Sequence, residues 1–339
     1  MSVLSQLDTT VREPRAARHL YRTPGAAVMP KTFDLDIGVI YSGERHFMNP
    51  LASSLAGSAD VISPRLILVD NVSADGVAAW TSAFAHTKVV KNDRPLGYAQ
   101  NLNRILSVSD ARYTLLLNTD MYFDVGDQCL AKMVAFMDDH PRCGLSICQV
   151  YRPDGSYGYP ARRFPTVRTI AARRLGLQRL LAGPLREHLY EDRPITDSYP
   201  CDWVSGCFML VRREAAQDVG RFDERYVKYF EDVDMCLRMA RAGWQVMFNG
   251  ATRCFHHEQR ASRHAFSRDA WRHGRAYLRW LLKWGLTTPS SGELGAVTAW
   301  SAQRGKRVDP AQAATARPHT GVATERAPET VSAPPRPRS

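Results

Sequence analysis

Two rhythms of apolar and polar residues alternate along the body of this chain. Short apolar runs occur at LDIGVIY (35–41), RLILVD (65–70), KVVK (88–91) and YTLLLN (113–118). Runs of that length and content predict buried strands. Between them, 47–58, 75–86 and 97–109 carry helix-compatible patterns, with Asp75 and Gly97 standing at helix starts. The alternation predicts an α/β fold: a Rossmann-like, mostly parallel sheet with helices on both faces. Ligands of such sheets sit beyond the carboxyl ends of the strands. The polar residues that follow each apolar run are therefore the first candidates for chemistry.

The second half has a different texture. CDWVSGCFMLVRREA (201–215) is an apolar run with Ser205 and Gly206 near its start. A glycine there admits close backbone approach to a ligand, or marks a bend. From Glu231 onward, Val233, Leu237 and Ala240, with Cys236 beside them, form one helical face that Gly243 ends. QVMFNGATRCFHH (245–257) reads as one or two strands finishing at His256 and His257. Residues 1–32 and 287–339 are rich in Arg, Pro, Ala and Thr without periodicity, and are expected to be disordered. The ordered body is expected at 33–286. It would comprise a nucleotide-binding half (33–125), an acceptor and catalytic half (126–258) and a basic amphipathic helix (260–286).

The strand ends supply the chemistry. Asp70, Asn71, Ser73 and Asp75 follow one run; Asn118, Thr119 and Asp120 follow another. Two carboxylate-bearing strand ends suit Mg²⁺ or Mn²⁺ bridging a phosphate ligand; alternatively Asp70 and Asp120 cap turns. Glu231, Asp232 and Asp234 share the first turn of the later helix, where the helix dipole favours anions. Tyr229 and Phe230 would wall that turn.

Composition changes the choice of partner. The 339 residues are 44% hydrophobic and 23% charged, which excludes a wholly disordered, collagenous or coiled-coil chain. The net charge of +11 suggests an anionic partner, but it is unevenly spread. The segments 161–189 and 260–283 each carry +6, while 1–31 carries +3 and 303–339 carries +4, so the remainder is −8. An acidic body with basic appendages is not the pattern of a nucleic-acid reader, whose charge lies on the folded body. In 161–189, Ile170, Leu175, Leu177, Leu180 and Leu181 lie among arginines. In the other stretch, Trp271, Leu278, Leu281 and Leu282 lie beside Arg272, Arg275, Arg279 and Lys283. Both suit an anionic membrane surface; the competing expectation is a helix packed on the body with a solvated arginine face.

Seven cysteines without a CxxC pair predict reduced core thiols in a cytoplasmic protein. No run approaches the ~18 apolar residues of a membrane span. The N-terminal stretch lacks the roughly 7–15-residue apolar region of a signal peptide. The expected location is cytoplasmic or peripheral on the inner face of the plasma membrane.

Taken in order, VDNVSADG, NDRPLGYAQNLNR, LLLNTD, DWVSGCFMLVRREA, FDERYVKYFEDVDMCLRMARAGW and FHH resemble the inverting glycosyltransferases of family 2, which have the GT-A fold. The rhamnosyltransferase-like branch, which builds bacterial cell-wall and O-antigen polysaccharides, looks most similar. The resemblance spans about 35–285. It implies a nucleotide-sugar donor, with dTDP-rhamnose the first guess, a saccharide or lipid-linked saccharide acceptor, and Mg²⁺ or Mn²⁺. It further implies that Asp70, with Asn71, Ser73 and Asp75, contacts the nucleotide, and that Gly97 and Asn101 pack beneath it. Asn118 and Asp120 match the metal motif, and His256 completes the metal shell, with His257 as the substitute. Trp203, Ser205 and Gly206 match a segment near the donor and acceptor sugars. Asp232 matches the general base and Glu231 its neighbour.

Two departures stand out. The metal motif keeps one carboxylate, in Asn118-Thr119-Asp120, and the first strand ends Tyr41-Ser42-Gly43-Glu44-Arg45 rather than in an Asn-containing turn. Other classes considered are an inactive transferase-fold protein that binds membrane or nucleic acid, and a nucleotidyltransferase. The latter has repeated glycines after its first strand, which YSGERHFMNP lacks.

Overall fold

A computed structural model of the protein describes residues 33–58, 62–81, 84–174, 176–257 and 268–285. The stretches expected to be disordered, 1–32 and 287–339, lie outside the described residues.

The first half alternates as its pattern predicts: β1 (Leu35–Tyr41), α1 (Arg45–Ser58), β2 (Arg65–Asp70), α2 (Ala78–Thr81), β3 (Thr87–Lys91), α3 (Tyr98–Val108) and β4 (Tyr113–Leu117). Of these strands β3 is not buried as expected: it is the edge of the sheet, and none of its residues is buried. Next come β5 (Met121–Tyr122), α4 (Cys129–Asp139), β6 (Cys143–Tyr151), β7 (Ala161–Arg162), α5 (Val167–Arg174) and α6 (Ala182–His188). The rest is β8 (Tyr199–Pro200), β9 (Trp203–Val204), β10 (Phe208–Arg212), α7 (Arg213–Val219), α8 (Glu231–Arg241), β11 (Gln245–His256) and α9 (Arg268–Trp284). The helix expected at 75–86 is shorter: only Ala78–Thr81 is helical among the described residues, and Asp75 lies in the loop before it. The run 201–215 divides into two strands and the start of a helix, because Ser205 and Gly206 interrupt it.

The main sheet runs β3-β2-β1-β4-β10-β6-β11-β5, with β8 also on β11. Pairing is parallel through β3, β2, β1 and β4, and again between β6 and β11. β10 is antiparallel to both β4 and β6, and β5 and β8 are antiparallel to β11. The sheet is thus mixed rather than mostly parallel. An apolar run reports burial, not direction, so this difference had no signature in the pattern. The arrangement is a mixed α/β one, consistent with the GT-A type that the resemblance implies.

The core fills both faces of the sheet. Ile37, Val39, Leu68, Leu116, Phe208, Leu210 and Phe248 are buried on the central strands. All seven cysteines are buried and free, as expected of core thiols. One charge is also sunk in this core. Asp36 on β1 is fully buried and accepts a forked pair of bonds from Arg65, at 2.8 and 2.7 Å, and one from Ser109 Oγ at 2.6 Å. Removing one partner of such a pair strands a buried charge and costs about 3–5 kcal/mol. Arg65→Gln is expected to lower the unfolding free energy by that amount in urea, and Asp36→Asn in the same chain to restore part of it. A loss below about 1 kcal/mol would contradict this role.

Candidate active site

Three corners of chemistry meet at the carboxyl edge of the sheet. The first is built by the loops after β1, β2 and β3. Asp70 turns inward on its own loop, accepting from the Ser73 amide at 2.9 Å and the Ser73 hydroxyl at 2.8 Å. Asn71 accepts from Leu96 N and from Asn92 Nδ2, both at 2.8 Å, and Asn92 Nδ2 also donates to Asn101 Oδ1 at 2.7 Å. Asn101 is buried and returns its amide to the Leu96 and Gly97 carbonyls. This asparagine net locks three loops in register, so Asn71 and Asn101 serve as scaffold. Asp75 receives Tyr41 Oη at 2.6 Å and Arg45 Nε at 3.1 Å. The Tyr41 bond leads in holding its carboxyl below the usual range, with Arg45 assisting. The unusual ending of β1 is therefore the partner of Asp75. Gly97 opens α3 against residue 227: a Cβ there would lie 3.2 Å from the Val227 carbonyl oxygen.

The second corner joins the end of β4 to the end of β11. His256 Nε2 lies 3.1 Å from Asp120 Oδ1, and both side chains are mostly buried. Burial opposes charge on the imidazole, but Cys207 and Asp120 favour it, and the net effect raises His256 above its ordinary value. His257 instead donates its backbone N–H to the Asp120 carbonyl and turns its ring toward Tyr122. His256, not His257, thus reaches the carboxylate. The carboxylate oxygen and imidazole nitrogen fit a divalent cation that takes its remaining ligands from phosphate and water. They do not fit one caged by protein alone: among the described residues, no group of three or more His, Cys, Asp or Glu is arranged to hold a metal.

The third corner is the N-terminal turn of α8. Tyr229 and Phe230 before it have φ of 74° and 69°. Left-handed backbone at two aromatic residues costs on the order of 1–3 kcal/mol each. The cost is met by packing, since His273, Tyr277 and Trp280 of α9 lie against Phe230 at ring distances of 5.2, 5.6 and 6.1 Å. The turn delivers Glu231 and Asp232 side by side. Asp232 Oδ2 accepts the Gly206 amide and Oδ1 the Val233 amide, both at 2.9 Å. Burial raises the Asp232 carboxyl, while these two N–H groups and Arg162 work the other way. Glu231 is 4% exposed and its Oε2 has no partner among the described residues. Burial, then the charge of Asp232, pushes it well above the carboxyl range. The two carboxyls therefore differ in their partners: Asp232 holds two amide donors that favour its charged form, whereas Glu231 Oε2 has none among the described residues. Asp234, their neighbour in sequence, faces away, held by Arg238 at 3.0 Å and Trp284 at 2.8 Å.

Tyr98 connects the corners. Its hydroxyl contacts Asn118 Oδ1 at 2.9 Å and the Gly206 carbonyl at 2.8 Å. Burial first, then Glu231, Cys207, Asp232 and Asp120, raise its pKa, so it remains a neutral donor. Ser205 N donates to the Pro160 carbonyl at 2.9 Å. Trp203 is buried, with its indole N–H on the Arg163 carbonyl at 2.8 Å and Arg162 over its ring at 5.0 Å. Its indole N–H and one ring face are thus engaged within the protein. Asn92, Tyr98, Arg162 and Cys207 were not singled out from sequence. Tyr98 had a signal: it directly follows Gly97 at a helix start, and a buried phenol must find a partner. A cavity of about 400 Å³ lined by Leu106, Thr114, Val211, Arg213 and Arg221 lies at the opposite end of β4 and β10. No carboxylate or histidine lines it, so the chemistry belongs to the three corners.

Residues 54–220 match the family model "Glycosyl transferase family 2". That segment, just under half of the chain, is similar to the family 2 glycosyltransferases, and the similarity classes the chain as a glycosyltransferase. It is 28% identical over 250 residues to N-acetylglucosaminyl-diphospho-decaprenol L-rhamnosyltransferase of Mycobacterium tuberculosis (strain CDC 1551 / Oshkosh), covering 69% of this chain and 77% of that protein. In shape it is similar to the mannosyltransferase PcManGT from Pyrobaculum calidifontis in complex with GDP-Man and Mn²⁺. That match has a TM-score of 0.49 at 16% identity and covers 84% of this chain and 79% of the other. It is also similar to GalNAc-T7 with UDP, GalNAc and Mn²⁺, with a TM-score of 0.49 and 14% identity over 66% of this chain. The matched part is 43%, less than half, of GalNAc-T7.

A Cβ on Gly206 would lie 3.3 Å from Asp232 Oδ2. Gly206→Ala is therefore expected to push the carboxylate off its amide. Misplacement on the order of 1 Å costs about 100-fold in rate. Steady-state kinetics should show the loss in kcat, with donor KM within about threefold of the parent. An unchanged kcat would dissociate Gly206 from the placement of Asp232.

Proposed function

We propose that the enzyme transfers a sugar, with inversion, from a nucleoside-diphosphate donor to a saccharide or lipid-linked saccharide acceptor in bacterial surface-polysaccharide synthesis. The observation that carries this reading is the Asp232 carboxylate, held by two backbone amides beside the buried, unpartnered Glu231 Oε2 and linked through Gly206 and Tyr98 to the Asp120–His256 corner. A sugar hydroxyl attacks only as its proton is accepted, and a fixed carboxylate does this. Asp232 is that base. Burial and the adjacent Asp232 disfavour charge on Glu231, so one carboxylate acts as base without a second as nucleophile, and a single displacement inverts the anomeric carbon. Asp70, Ser73 and Asp75 line the nucleotide side, on loops that Asn71 holds in register.

Asp120 and His256 would hold Mg²⁺ or Mn²⁺ against the diphosphate. When bound, the cation stabilises the charge of the leaving nucleoside diphosphate. The relative's printed name, an L-rhamnosyltransferase acting on a polyprenyl-linked sugar, supports dTDP-rhamnose as the first donor to test and a lipid-linked acceptor. Such an acceptor would set the enzyme against the inner face of the plasma membrane.

Asp232→Asn is expected to lower turnover about 10²–10⁴-fold while leaving donor binding intact. Release of nucleoside diphosphate measures the first effect. A thermal-shift panel of nucleotide sugars with Mn²⁺ measures the second, since a bound donor raises apparent stability by mass action. Near-full turnover in the variant would remove Asp232 as base.

The pH profile offers a separate test. A base works only when ionised, so activity falls as pH drops through its pKa. Burial raises Asp232 and Arg162 lowers it. Arg162→Gln should therefore move the acid limb of kcat/KM to higher pH, and Arg162→Lys should move it back. No movement in the glutamine variant would separate Arg162 from the base.

A further inference from the structure

Helix α9 has two faces. The inner face is spent on the catalytic half: Ala276 and Trp280 are buried, and Lys283 reaches Asp223 at 2.9 Å and Asp234 at 2.7 Å. The outer face is unusual. Trp271, Leu278 and Leu282 are 69%, 57% and 80% exposed. Steps of seven and four residues put them on one narrow stripe at ~3.6 residues per turn. Arg268, Arg272, Arg275 and Arg279 are exposed beside that stripe, and Asp269 is the helix's sole acidic residue. Arg272 pairs with Asp269 at 3.2 Å, and Arg279 donates to the Arg225 carbonyl.

We propose that this outer face of α9 docks on an anionic lipid surface. Apolar side chains enter the boundary between headgroups and acyl chains, while the arginines meet lipid phosphates. Charge complementarity selects this occupant. A second copy of the helix would bring four arginines against four. A nucleic acid would use the arginines and leave Leu278 and Leu282 in water. The basic stretch 161–189 adjoins the same helix, since Phe164 meets Trp280 at 6.5 Å. The inner face of α9 holds Phe230, the residue before Glu231, so docking sets the base about one helix diameter, roughly 10–12 Å, from the lipid. The benefit to a lipid-linked acceptor rests on the proposed function; the docking does not.

Flotation of the full chain with vesicles tests it without donor or acceptor. Phosphatidylcholine alone and phosphatidylcholine with phosphatidylglycerol are the two arms. Binding is expected only to the anionic vesicles and should weaken with salt. Leu278→Ser with Leu282→Ser should weaken it about tenfold or more, and Arg272→Gln with Arg275→Gln should do likewise. Both variants alter exposed positions only, so their melting midpoints should match the parent. The changes are confined to α9, so basic segments elsewhere do not supply the difference. Three results would overturn the proposal: equal or negligible binding in both arms, leucine variants that bind like the parent, or a dimer that the leucine variants dissociate. An inactive enzyme that floats refutes the transferase reading alone, and an active one that does not float refutes the docking alone.

Discussion

The direction of one strand governs the site. β10 runs antiparallel to β4, so the start of one meets the end of the other. That places Cys207 beside Asn118, joined by the Asn118 amide on the Cys207 carbonyl at 3.0 Å. Gly206, one residue earlier, then has its amide free for Asp232 and its carbonyl for Tyr98. A parallel β10 would send Gly206 to the far edge of the sheet, among the residues that line the cavity there. The cation corner and the base corner would then share no backbone, so the meeting of the two halves is a consequence of topology.

The second constraint is held strain. Two aromatic residues in left-handed backbone do not persist unless their surroundings over-determine them. Here α9 supplies that surrounding through His273, Tyr277 and Trp280. Asp234, Asp223 and Lys283 clamp the helix in turn, with the Lys283 ammonium shared between both carboxylates. Of the three acidic residues in the first turn of α8, only the first two face the site. The third fixes the helix that keeps them there. The three carboxylates thus do different work, and their partners, not their positions in sequence, decide which.

The strands of the first half were legible because each is a short apolar run bounded by polar turns. Helix α8 was legible through its single apolar face, and the coincidence of Asp120 with His256 through ordered motifs. The direction of β10 was not, since buried strands read alike in either sense. The partners of Asn71 and Asn101 were not legible either: their amides bond Asn92 and backbone groups, and a pattern of residue types does not reveal who satisfies whom. The partners of Trp203 were illegible for the same reason: Arg162 lies over its ring and the Arg163 carbonyl accepts its N–H. Tyr98 was overlooked because its role needs two acceptors brought together from distant parts of the chain.

Pairing also sharpens the contrast between an acidic body and basic appendages. Asp36, Asp75, Asp223 and Asp234 are each met by a cation within the fold. Asp232 is met by amides and Asp120 by an imidazole, the two kinds of partner that leave a carboxylate available to a substrate or a cation. These pairings separate the carboxylates that hold the fold together from those left at the sheet edge. The appendage on α9 divides in the opposite way. Lys283 is consumed inward, while Arg268, Arg272, Arg275 and Arg279 remain exposed beside three apolar side chains. A helix needing only solubility would carry charge there without Trp271, Leu278 and Leu282, since their exposure forfeits about 1.5–3 kcal/mol each that burial would return. The sequence retains a cost that the described residues do not repay, and an anionic lipid surface repays both its apolar and its charged parts.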